Sequence, residues 1–176
     1  MMFSIVISVV VLQRLIELFI AKRNEKWMLG QGAFEAGAAH YPIMVMMHVT
    51  FFVSFLLEVV VLERAHSPFW MVLLGIFLLT QAARIWCLLS LGKFWNTKII
   101  ILPGATVVRR GPYKWLRHPN YLIVTIELLV LPLLFGAYFT AVLYSLLNVW
   151  MLSVRIPAEE KALKESTNYR ETFSVE

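Results

Sequence analysis

Two stretches of this chain, "YPIMVMMHVTFFVSFLLEVVVL" from Tyr41 and "FWMVLLGIFLLTQAARIWCLLSL" from Phe69, each pass more than twenty residues with a single charged side chain, Glu58 and Arg84 respectively. A block of about 20 apolar residues matches the hydrocarbon thickness of a bilayer when wound into a helix. Lipid offers no partner to backbone N–H and C=O groups, so a spanning segment must satisfy its own hydrogen bonds, as a helix does. Further apolar blocks place the candidate spans at residues 3–21, 42–62, 69–91, 119–135 and 137–154. The last two are short and meet through "FGA" at 135–137. They read as a tight hairpin that spans most of the membrane. The expected fold is an all-α integral membrane protein with about five transmembrane helices, forming a single membrane domain over residues 1–176.

Composition agrees, since 60% of the residues are hydrophobic and 15% charged, against about half and about a quarter in a soluble domain. The net charge of +5 could suggest nucleic acid, but the basic residues gather between the apolar blocks. Lys22, Arg23 and Lys26 lie in one connection; Lys93, Lys98, Arg109, Arg110, Lys114 and Arg117 lie in another; Lys161, Lys164 and Arg170 lie in the tail. The 63–68 loop carries only Arg64. Basic loops stay on the cytoplasmic side, so five spans put the N-terminus outside and the C-terminus inside. Nucleic-acid binding is not expected. Cys87 is the single cysteine, and His40, His48, His66 and His118 have no metal-binding spacing, so neither a disulfide nor a metal is expected. The first span lacks a basic leader and a small-residue cleavage site, and reads as a retained helix.

The 92–118 connection is rich in aromatic and β-branched residues around "PG". It predicts an ordered element, either a small hairpin or an interfacial helix. At its end stands "GPYKWLRHPNY". Proline suits the first position of a helix, where its missing N–H is no loss. The fourth span is therefore expected to begin at Pro119 with His118 as its cap, leaving N–H groups and the positive dipole end toward an anion. Arg117 beside it strengthens that field. Pro157 in "RIPAEEKAL" is expected to start a new helix after the fifth span, with Glu159 and Glu160 in its first turn and Arg155 just before the break. The charged tail helix would turn Leu163, Tyr169 and Phe173 inward.

"GPY…RHPNY", followed some forty residues later by "R…EE..L", resembles the isoprenylcysteine carboxyl methyltransferase family of membrane proteins, over roughly residues 84–173. The N-terminal half, with "LQRLIEL", "AKRNEKW" and "HYPIMVMMH", is similar to a small bacterial branch associated with methylating alkylpyrones, lipid-like products of type III polyketide synthases. The resemblance implies S-adenosylmethionine as methyl donor, a lipophilic acceptor entering from the bilayer, and a functional link to a polyketide synthase. It makes residues 92–176 the cofactor-binding core. Carried over by position, Gly111, Pro112, Tyr113, Arg117, His118, Pro119 and Tyr121 form the cofactor pocket, closed by Glu159 or Glu160, while Arg155 and the other Glu face the acceptor. In this chain Leu122, Ile123 and Val124 follow "HPNY", where many relatives have a small residue, and the tail "ESTNYRETF" lacks the usual glycine.

The chemistry is consistent with those residue types. A sulfonium is drawn to aromatic faces and carboxylates, which suits Tyr113, Trp115, Tyr121 and the Glu pair. Methyl transfer is an in-line displacement helped chiefly by orientation and desolvation. A carboxylic acid or hydroxypyrone acceptor is largely ionised in neutral water and calls for a cation to steer it, Arg155, rather than a strong base. Arg84, Glu127 and Asn148 are candidates to line the acceptor cavity. Arg14 and Glu17 can pair at i,i+3, Glu58 and Arg84 can snorkel from span ends, and His48 reads as a polar group satisfied between helices. Two other classes compete: a membrane reductase using a nicotinamide cofactor, which shares an "RHPNY"-type element, and a non-enzymatic scaffold or small transporter. Within the methyltransferase reading, a prenylated cysteine carboxylate and a phospholipid amine are the other acceptors.

Overall fold

A computed structural model describes residues 2–173. The five apolar blocks are the five long helices: α1 (Met2–Gly30), α2 (Tyr41–Val61), α3 (Trp70–Leu91), α4 (Pro119–Leu134) and α5 (Tyr138–Ser166). A short α6 (Tyr169–Phe173) ends the described chain, and β1 (Phe34–Ala36) and β2 (Ile99–Ile101) pair antiparallel with Glu35 opposite Ile100. Helices α1, α2, α3 and α5 are long and apolar enough to cross a membrane. The 16 residues of α4 rise about 24 Å at the α-helical 1.5 Å per residue, short of a full hydrocarbon core. The outer faces are apolar, with Phe19 and Leu79 each 71% exposed. Side chains of that kind belong in lipid. The chain is an all-α integral membrane protein.

Packing groups the chain into two compact units. The first holds the residues up to Ala38, Leu91–Val108, and those from Ala158 onward. Here Asn24 of α1 donates to the carbonyls of Gly92 (3.1 Å) and Trp95 (2.7 Å), fixing the connection after α3 against α1. Lys98 bridges Glu25 (2.8 Å) and Glu35 (2.9 Å), and these two partners raise the ammonium pKa, so Lys98 holds its charge. Ile99, Ile101 and Ala162 form a small core with Leu163 packed on it.

Two expectations are corrected in this unit. The strand Ile99–Ile101 pairs with Phe34–Ala36 instead of folding back on residues 105–108. The N–H of Gly104 goes to Ser166 O (2.8 Å) and that of Val107 to Asn168 Oδ1 (2.8 Å), so the second apolar run spends its hydrogen bonds on the tail. The tail is also not one helix. It stops at Ser166 and restarts at Tyr169, which is buried and sets its ring at a tilt against Phe173, with centroids 4.9 Å apart.

The second unit holds Ala39–Ser90 and Arg109–Pro157. Helices α4 and α5 form the expected tight hairpin. Its turn has Gly136 at φ +65, and a Cβ there would stand 2.7 Å from Ala65 O, so only glycine fits. Glu58, near the end of α2, accepts from the N–H groups of Phe139 (3.1 Å) and Thr140 (2.8 Å) and lies 3.5 Å from Arg64. It caps α5 from a neighbouring helix and does not snorkel. His48 hydrogen-bonds Met44 O one turn back on its own helix, at 2.8 Å.

Helix α5 runs unbroken through Pro157, contrary to the new start expected there. Proline removes one N–H and crowds the carbonyl four residues back. Ala158, Glu159, Glu160, Lys161, Ala162 and Leu163 follow it, however, and all favour the helix. Glu159 and Glu160 therefore occupy interior turns of α5, not the first turn of a new helix.

Candidate functional site

Helix direction in the second unit sets one polar cluster at the start of α5 and another, with Arg155, His118 and His40, at the opposite end. Glu58 and Ser54 of α2 meet Thr140 near the start of α5, so α2 and α5 are antiparallel. His40, at the N-cap of α2, lies toward the far end of α5, where the charge of Arg155 acts on it. Asn148 Nδ2 donates to Thr125 Oγ1 at 2.9 Å, joining α5 to α4. From that contact α5 leads to Arg155 and α4 leads back to Tyr121 and His118, seven residues in each direction. Arg155 and His118 thus fall at similar depth. Arg155 is only 3% exposed.

The turn before α4 is built on α3. A 3-10 turn, Gly111–Lys114, carries the "GPY" residues, with Pro112 and Tyr113 buried. Gly111 has φ +58, and a Cβ on it would be 2.1 Å from Ser90 Oγ. The left-handed backbone favours glycine, and the close approach to Ser90 and Trp86 of α3 leaves little room for a side chain. Arg110 Nε donates to Ser90 O at 2.6 Å, and Trp86 meets Trp115 edgewise at 6.0 Å. The side chain of Tyr113 hydrogen-bonds Cys87. Trp115 is 68% exposed with the Lys114 ammonium 5.9 Å from its ring.

Helix α4 opens at Pro119 as expected, with His118 at the N-cap. The His118 side chain makes no capping bond, and the helix's own ladder begins with Leu122 N–H to His118 O at 3.4 Å. The imidazole instead stacks on Tyr121, centroids 5.5 Å apart at 28°. In the same first turn, Asn120 Oδ1 is buried with no donor to it among the described residues. Arg117 is exposed beside this terminus.

Deeper in the bundle, Arg84 and Glu127 form a two-point ion pair, Nε to Oε1 at 3.0 Å and Nη2 to Oε2, and Gln81 adds a third bond at 2.7 Å. Arg84, at 3% exposure, does not snorkel; a carboxylate on the facing helix satisfies it in place. The structure thus brings Arg84 to Glu127 and sets Asn148 against Thr125. In the first unit, Glu160 pairs with Lys164 at 2.8 Å and receives the Tyr169 hydroxyl at 3.4 Å, while Glu159 is half-buried. Among the described residues no three His, Cys, Asp or Glu side chains gather to hold a metal ion. Sequence reasoning passed over Gln81, Thr125 and His40. Gln81 carried a signal, one helical turn before Arg84 inside an apolar run; His40 carried none beyond its place before "YP".

Apolar helices enclosing a satisfied ion pair, with aromatic, basic and helix-terminal groups collected at one end, define an integral membrane protein with a polar pair in its interior. The sequence model of the isoprenylcysteine carboxyl methyltransferase family matches residues 71–165, which take in the whole of this constellation except His40. The chain belongs to that family. It is 45% identical over 164 residues to the uncharacterized protein YpbQ of Bacillus subtilis, covering 93% of this chain and 98% of that one. It is 30% identical over 151 residues to an uncharacterized protein of Haemophilus influenzae, covering 85% and 88%. No solved structure matches it significantly.

Proposed function

We propose that this protein is an S-adenosylmethionine-dependent O-methyltransferase acting on an acidic, lipophilic acceptor dissolved in the membrane, most simply the hydroxyl of a long-chain alkylpyrone made by a type III polyketide synthase. It would lie in the plasma membrane with the His118 end and the C-terminus cytoplasmic. Membership of a membrane methyltransferase family supports the reaction class. The observation that carries the site is the start of α4, where N–H groups of a proline-opened helix face the same end as buried Arg155.

The residues present fit the donor. Its carboxylate suits the α4 terminus and Arg117, and the buried Asn120 Oδ1 is an acceptor waiting for an N–H such as the donor's ammonium or adenine amine carries. Tyr121, stacked by His118, and Trp115 offer ring faces to a cation. When bound, the cofactor supplies an activated methyl group on positive sulfur. Gly111, Pro112 and Tyr113 hold the turn that precedes α4 against α3, and so fix where that terminus points. Arg155 holds the acceptor oxygen by charge and orients it. Apolar walls exclude water, which strengthens each of these interactions. Polar Thr125 and Asn148 line the way along α4 and α5, and Arg84 with Glu127 sets the polarity deeper down.

Calorimetry on the purified protein tests this. S-adenosylhomocysteine is expected to bind and NADPH not to; the opposite pattern would favour the reductase. Arg155→Ala is expected to raise the acceptor KM while leaving S-adenosylhomocysteine affinity near the wild-type value, and the reverse would mean that the two subsites are exchanged. Glu159→Gln and Glu160→Gln are each expected to lower turnover without lowering the unfolding temperature. Full turnover in both would remove the pair from the catalytic set.

A further inference from the structure

At the His118 end of the second unit one partly buried titratable side chain has no assigned work. Both ring nitrogens of His40 are buried, and neither has a hydrogen-bond partner among the described residues. The position alone does not account for the side chain. His40 is the N-cap of α2, yet it makes no side-chain capping bond, and Pro42 already favours the helix start. Shielding both nitrogens of an imidazole from solvent without partners is costly, and such a group calls for a bound water, an ion, a ligand or a reaction to account for it. The charged group that bears on it is Arg155 of α5; Tyr41 is the titratable neighbour on its own helix.

An acceptor that enters from the bilayer, unlike one taken from water, brings its proton to this end of the molecule. An acidic lipophile resides in a bilayer as its neutral acid, because a low dielectric disfavours the anion. Arg155 can hold the anion but, being a cation with donors only, cannot take the proton that makes it. A ring nitrogen with a lone pair can. We propose that His40 is the proton acceptor for the acidic O–H of the lipid acceptor, working beside Arg155. This rests on the methyltransferase reading above and adds a catalytic residue that lies outside the family-matched segment.

The step balances as follows in atoms and electrons. The acceptor's O–H proton passes to a ring nitrogen of His40, and the O–H pair stays on oxygen, held by Arg155. That oxygen bonds the methyl carbon of the sulfonium donor as the carbon–sulfur bond breaks, and the pair from that bond remains on a neutral thioether. The imidazolium returns its proton to water, and the base is restored. The product is an uncharged methyl ether or ester, which has no acidic O–H and no charge for Arg155 to hold.

The test uses the purified full chain in liposomes, with S-adenosylmethionine and a long-chain alkyl hydroxypyrone, assayed from about pH 6 to about pH 9. Wild-type turnover is the first arm; its absence would sink the hydroxypyrone acceptor assigned under the proposed function and is thereby distinguishable. His40→Ala and His40→Gln are expected to lose roughly 100-fold or more in kcat/KM at the acid end. The loss should shrink as pH rises and the acceptor ionises without help, and added imidazole should restore part of the activity of His40→Ala. Binding of S-adenosylhomocysteine should stay within about twofold of wild type in both, a difference worth well under 1 kcal/mol. Should His40→Ala fail to fold, His40→Gln, which keeps size and hydrogen bonding, carries the measurement. Turnover near wild type at the acid end, or an equal loss at every pH, would overturn the proposal.

Discussion

Arg84 and Glu127 face each other from α3 and α4, both nearly inaccessible to solvent. Opposite charges at that depth are tolerable only together, because each alone would bear the cost of leaving water uncompensated. Removing one partner, as in Glu127→Ala, is expected to destabilise by about 3–5 kcal/mol. The double change Arg84→Met with Glu127→Leu should recover most of that, since no charge is left stranded. Thermal unfolding in detergent checks this: if the double variant loses as much as the two single variants summed, the residues do not act as a pair. Sequence alone offered Arg84 and Glu127 as separate polar residues in apolar runs. It could not pair them, because 43 residues separate them in the chain and only helix packing sets their register. The same holds for Asn148 and Thr125.

The hairpin of α4 and α5 shows what is decided at the level of elements. "FGA" between two apolar runs made a tight turn legible, and Pro119 marked where α4 begins. The need for glycine at 136 came from its left-handed backbone and from the carbonyl of Ala65, which the loop after α2 brings against the turn. Gly136→Ala is therefore expected to lower the unfolding midpoint through both the clash and the left-handed backbone. Gly75→Ala, with nothing within 4 Å of the new Cβ and a helix interior to favour alanine by about 0.5–1 kcal/mol, should hold or raise it. Equal midpoints for the two variants would contradict the observed turn. At the opposite end of α5 sequence reasoning failed: Pro157 reads locally as a helix start, but the helix formers after it carry α5 through. The strand pairing of Phe34–Ala36 with Ile99–Ile101 was equally invisible, since a three-residue strand has no periodicity to detect and its partner lies far along the chain.

For the whole molecule, the basic connections assign a membrane orientation that labelling can examine. In a Cys87→Ala background, Ser4→Cys is expected to react in intact cells with a thiol reagent that cannot cross membranes, and Lys161→Cys only after permeabilisation. Labelling of position 161 in intact cells would invert the topology. The sequence by itself determined that this is a helical membrane protein and roughly where its spans lie, and "GPY…RHPNY…R…EE" carried the resemblance to the isoprenylcysteine carboxyl methyltransferase family. The helical spans follow from length and hydropathy, local properties that lipid reads directly, whereas the family is a resemblance carried by the motif residues themselves. Only the tertiary structure decided which polar groups meet: Glu58 on the start of α5, Arg84 on Glu127, Gly111 against Ser90, and His40 within reach of the Arg155 charge. Side chains that meet across helices do so through packing register, and a chain carries no local mark of that.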